Sequence, residues 1–102
     1  MRCEVFIGSV EAFPSAKPDK AQALKPLEEA SEVHAAWQAW DRAESDDDDC
    51  ERLRAKVLDE IADTVQACAN LAHAMGCDDL APYMQWCRLR NEERGRYTEV
   101  AE

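Results

Sequence analysis

Between Glu51 and Met75 the chain runs without a glycine or proline, and apolar side chains recur at helical spacing: Val57, Ile61, Val65, Cys68, Ala72 and Met75. A stripe that returns every three or four residues is buried by a helix lying on a neighbour, whereas a half-buried strand needs strict alternation. Gly76 is placed to end this helix. Upstream, Asp19 follows Pro18 as a plausible cap, and the pattern is helical from Asp19 to about Arg42. Leu24, Leu27, Ala30, His34, Trp37 and Asp41 form its expected seam, with Val33, Trp37 and Trp40 widening the stripe. Pro26 is expected to kink or restart the helix, because a mid-helix proline clashes with the preceding turn. Downstream, Asp78 or Asp79 can cap a third helix with Pro82 in its first turn, running through Tyr83, Trp86 and Leu89 to about Arg94, where Gly95 stops it.

The expected fold class is therefore all-α, a small antiparallel helical bundle. Residues 1–18 read as an extended segment and loop, 19–97 as the helical domain and 98–102 as a tail. The strand-like run from Val5 to Val10 is too short to make a sheet alone, and its β propensity suits pairing with a second copy across an interface. The segment from Ala43 to Cys50, with four successive aspartates, reads as a solvated linker: consecutive acids on a loop diverge and lack the spacing of a calcium loop. One domain of 102 residues gains much by sharing its apolar face, so a homodimer or homotetramer is expected.

Charge narrows the function classes. A net charge of −10 argues against a nucleic-acid polymer as partner, which needs a basic footprint. No apolar run approaches a membrane span, and Glu4 interrupts the one near the amino terminus, so a soluble, cytoplasmic protein is expected. Five cysteines without a CxxC fit neither a disulfide framework nor a zinc site; Cys68 and Cys87 fall on apolar faces and are expected to be small buried thiols.

The acids are not evenly spread. Glu28, Glu29 and Glu32 crowd one short helical surface. Like charges at this spacing repel by about 0.2–0.5 kcal/mol per pair unless a cation sits over them. Pro26 and the helix dipole account for Glu28 and Glu29 as a helix start, but Glu32 lies beyond their reach. Glu60 and Asp63 on the second helix repeat the spacing of Glu29 and Glu32. If the two helices are antiparallel neighbours, four carboxylates converge. Oxygen donors without histidine or thiolate match Mg²⁺ or Mn²⁺; a di-iron bundle would want histidine where Asp63 stands.

"EEASE" at 28–32 and "EIAD" at 60–63, separated by 27 residues, resemble the EExxE and ExxD pair of the MazG-like all-α nucleoside triphosphate pyrophosphohydrolases. With the downstream "RLRNEERGRY", the resemblance spans roughly residues 19 to 97. It implies Mg²⁺-dependent hydrolysis of a nucleoside triphosphate to monophosphate and pyrophosphate. Glu29, Glu32, Glu60 and Asp63 take the metal-ligand roles, with Glu28 orienting a ligand or a water. Lys56 shares the face of Glu60, and Arg90, Asn91 and Arg94 match the basic third-helix pattern, except that arginine replaces the usual lysine at Arg90. These cations would neutralise phosphates that metal does not reach.

Among the other polar and aromatic residues, Trp37 is the candidate for stacking on a nucleobase, though large aromatics at helical spacing, including Trp40, Tyr83 and Trp86, usually fill an interior. Gln66 and Asn70 continue the side of Asp63, placed either to read sugar or base edges or to bind a partner helix. Lys25, four before Glu29, can offset its charge, and His34 and His73 have no partner at ligand spacing. Two other readings remain: a non-enzymatic acidic helical protein that binds another protein, and a relative acting on phosphoribosyl-ATP.

Overall fold

The computed structural model describes residues 3–44 and 49–98. Its order is α1 (Lys20–Arg42), α2 (Cys50–Ala74) and α3 (Ala81–Glu93), with no strand among the described residues. Residues 45–48 of the acidic linker, residues 1–2 and residues 99–102 of the tail lie outside them.

Local chemistry fixes the helix ends. The Asp19 Oδ1 accepts the Gln22 N–H at 2.9 Å, capping α1. Gly76 and Gly95 adopt positive φ and close α2 and α3 with paired end bonds, Gly76 to His73 and Cys77 to Ala72, Gly95 to Glu92 and Arg96 to Asn91. Before α3, Asp79 Oδ1 accepts the Ala81 N–H at 2.9 Å. Pro26 does not restart α1: one helix runs through it. The proline removes a single ladder bond, and α1 packs on α2 to either side of it.

α1 and α2 form the packed unit. Glu29 approaches Glu60 and Asp63, while the earlier Gln22 shares a cavity wall with the later Asn70, so the pair is antiparallel. The half-buried positions on α1 include Gln22, Pro26, Glu29, Val33, Ala36 and Trp40, with Gln38 beside them; the half-buried or buried positions on α2 include Leu53, Val57, Glu60, Thr64, Ala67 and Leu71. Both series alternate steps of three and four, the spacing of a coiled-coil seam.

This differs in part from the expected seam. Leu24, Leu27, Ala30, His34, Trp37 and Asp41 are exposed, as are Ile61 and Cys68 on α2 and Met75 at its end, whereas Val33, Trp40, Val57, Val65 and Ala72 are half-buried as expected. Each helix carries two apolar stripes, and the hairpin covers one of them, with Ala36 and Ala67 among its small residues.

The strand-like run at Val5–Val10 forms no strand; it leads into a latch on α2. The Phe13 N–H donates to Asn70 Oδ1 at 2.9 Å, and Gln66 Nε2 donates to both the Glu11 carbonyl and Asn70 Oδ1 at 2.9 Å. α3 packs on neither α1 nor α2.

The chain accordingly holds little interior. Among the described residues only Glu60, Ala67 and Asn70 are buried. The radius of gyration is 16.7 Å, against about 13 Å for a compact chain of this length. The accessible surface is 8684 Å², whereas a folded monomer of 11.5 kDa exposes about 5,800 Å².

Candidate metal centre

The seam places two carboxylates where a coiled coil wants apolar side chains. Glu60 is 6% exposed and Glu29 half-buried, both at inward positions of the stripe. Asp63, one turn on from Glu60, is exposed and lies at the edge. One carboxylate oxygen from each of Glu29, Glu60 and Asp63 falls within 4.8 Å of the other two.

Glu60 has two unlike oxygens. Its Oε1 pairs with Lys56 Nζ at 2.7 Å. Its Oε2 is buried and has no hydrogen-bond partner. A buried carboxylate oxygen left without a donor is costly and rare in native interiors. A cation beside Oε2 would remove that cost, with Glu29 and Asp63 as the residues that could hold it from the other sides. The donor set, all carboxylate oxygen, suits Mg²⁺ or Mn²⁺.

Glu32 joins from the exposed side. Its pKa is raised, first by hydrogen bonding to Glu60 and then by the charge of Glu29. Glu60 is held below the usual glutamate range by the bond from Lys56, against the opposing effect of burial. Lys56 is raised by the same pair.

All four expected ligands are thus gathered at one place, three within mutual ligand reach and Glu32 beside them. Lys56 is on the site. Glu28 turns away: its Oε2 pairs with Lys25 Nζ at 3.2 Å, so Lys25 offsets Glu28 rather than Glu29. Asn70 is buried with its Oδ1 engaged by the latch. Trp37 stacks on His34 with ring centroids 6.3 Å apart, on the outer face of α1. Arg90, Asn91 and Arg94 are on or at the end of α3, which the chain does not bring against the hairpin; Asn91 Nδ2 donates to Cys87 Sγ. Cys68 is exposed rather than buried, and Cys87 is half-buried.

The sequence did not single out the chamber beside the acids. It measures about 390 Å³ and is lined by Phe13, Gln22, Lys25, Gln66 and Asn70 together with Glu29 and Asp63. Its volume falls in the range of small-molecule sites. The only prior signal was the polar pair Gln66 and Asn70 on a face continuous with Asp63. Nothing local marked Phe13, which reaches the site through a contact 57 residues away in sequence.

Comparison with family models, with curated proteins and with solved structures finds no match for this chain.

Proposed function

We propose that the chain is a nucleoside triphosphate pyrophosphohydrolase of the MazG-like kind, dependent on Mg²⁺ or Mn²⁺ and acting in the cytoplasm as a homo-oligomer. One observation carries this reading: Glu60 Oε2 is buried without a partner at an inward seam position, flanked by Glu29 and Asp63. A structural role would favour a leucine there. The free thiols of all five cysteines agree with a reducing compartment.

When bound, the cation supplies positive charge and Lewis acidity to a triphosphate that the acidic site would otherwise repel. The protein's own groups do the rest. Glu29, Glu60 and Asp63 would hold the cation from two helices. Lys56, tied to Glu60 Oε1 in the metal-free site, is the ammonium that would meet a phosphate oxygen. Lys25 and Gln22 line the chamber and would give a nucleoside hydrogen-bonding groups, while the Gln66 amide N–H groups are held by the latch. Phe13 offers a ring on which a base can stack.

The reading is tested by incubating the protein with Mg²⁺ and a panel of nucleoside triphosphates and phosphoribosyl-ATP, then measuring pyrophosphate. Turnover that vanishes in Glu60→Gln, with helical circular dichroism unchanged, is the expected result. An unchanged rate in that variant, or no turnover together with no thermal response to metal, would return the chain to the class of acidic interaction proteins.

A further inference from the structure

We infer that α3 of one copy docks on a second copy, in the groove between the latter's amino-terminal segment and α2, and there supplies Arg90 and Arg94 to the second copy's carboxylate site. The arginines' purpose rests on the hydrolase reading; the docking does not.

Three observations lead to it. The first is area. The chain exposes roughly 2,900 Å² more than a folded monomer of its mass, above the roughly 1,000–2,500 Å² per partner of an obligate interface. The second is the pair of unpartnered surfaces. An open groove of about 760 Å³ is walled by Phe6, Ile7 and Val10 on one side and by Leu58, Ile61 and Val65 on the other. α3 exposes Tyr83, Met84, Trp86 and Leu89 while packing on no helix of its own chain. A helix with apolar residues on several faces is one that is covered in the assembled protein. At 1.5 Å per residue its 13 residues span about 20 Å, enough to lie along the groove.

The third is charge. Residues 81–98 carry four arginines against two glutamates, whereas residues 1–80 carry eight basic and eighteen acidic side chains. The chain is therefore divided into a basic element and an acidic body, which attract between copies. Phe13 and Gln66 line both the groove and the chamber beside Glu29 and Asp63, so the groove runs to the edge of the site. Exchange of α3 between two copies is isologous and closes as a dimer.

Two measurements test this. In sedimentation velocity, the wild type should run as a dimer or larger, and Trp86→Asp with Leu89→Asp should release a monomer of unchanged helicity. A wild-type monomer at micromolar concentration, or a variant that stays dimeric, overturns the docking. In the second, Glu60→Gln and Arg90→Ala/Arg94→Ala proteins, each inactive, are mixed and allowed to exchange subunits. Half the dimers are then mixed and each holds one intact site, so activity should return to about a quarter of wild type. No recovery, with wild type active and exchange confirmed by labelled subunits, places the arginines in their own copy and overturns the inference. A dimer that the α3 variants dissociate, with no turnover in any form, leaves the docking supported and rejects the hydrolase reading alone.

Discussion

The Asn70 latch allows a quantitative test of how the amino-terminal segment is held. Asn70 Oδ1 accepts from the Phe13 N–H and from Gln66 Nε2, each at 2.9 Å, and Asn70 is 4% exposed. Asn70→Ala removes both bonds, but only the first ties the segment to α2; the second lies within α2, and the Gln66 bond to the Glu11 carbonyl remains. At about 0.5–1.5 kcal/mol net, the segment loses that much of its attachment. The hairpin seam is untouched, so the loss is confined to detachment of residues 3–16 from α2 and should not appear in full as a lower melting temperature.

Hydrogen exchange at the Phe13 amide is the direct assay. A loss of about 0.5–1.5 kcal/mol in a local opening equilibrium speeds exchange roughly two- to 13-fold. Asn70→Asp keeps an acceptor for both donors and should leave Phe13 protected, which separates the hydrogen bond from packing. If the chamber binds the nucleoside, Asn70→Ala also raises KM with kcat little changed, since the metal ligands stay in place. Phe13 exchange within twofold of wild type in Asn70→Ala would refute the latch.

Three other outcomes follow from the carboxylate site. Glu60→Leu should raise the melting temperature of the metal-free protein while abolishing its response to metal, because an apolar side chain at a seam position replaces a buried, half-paired charge; calorimetry with and without Mg²⁺ checks both. Mg²⁺ at 100 times its Kd should stabilise the wild type by about 2.7 kcal/mol, a rise of roughly 10–20 °C for a chain of this size, and Glu29→Gln/Asp63→Asn should show none. The raised pKa of Glu32 means that its protonated form is favoured by folding, so its contribution is fully present below the ordinary glutamate pKa and is lost as pH rises through the raised value. Melts of metal-free wild type should therefore fall across that window relative to Glu32→Gln, and metal affinity should rise across it as the competing proton leaves.

The helices, their caps and the meeting of Glu29, Glu32, Glu60 and Asp63 were legible in the sequence because each depends on spacing along one helix and on a short connection that makes neighbours antiparallel. The seam was legible only in part. Leu24 and Leu27 are more hydrophobic than Gln22 and Pro26, and a rule that assigns the most apolar stripe to the interior chooses the wrong face when two stripes exist and only one finds a partner within the chain. The role of Phe13 was invisible for another reason: a backbone N–H, not its side chain, makes the long-range bond. α3, whose end the sequence marked at Gly95, packs on neither helix of the hairpin, which no local pattern foretold.

These misreadings have a common cause. A coiled-coil seam in which Gln22, Glu29 and Glu60 take inward positions has given up much of the apolar area that would hold two helices together. Local rules are broken in this way at functional sites, with compensation elsewhere in the structure. Here the compensation has a visible location, since Leu24, Leu27, Leu58 and Ile61 remain outside the hairpin with Tyr83 and Trp86 of α3. Charge at the seam and apolar surface outside it are two sides of one arrangement. On the docking inferred above, assembly that covers the outer stripes would hold Glu29 and Glu60 at the spacing a cation needs. Dilution below the dimer Kd should then weaken metal binding while helicity is unchanged.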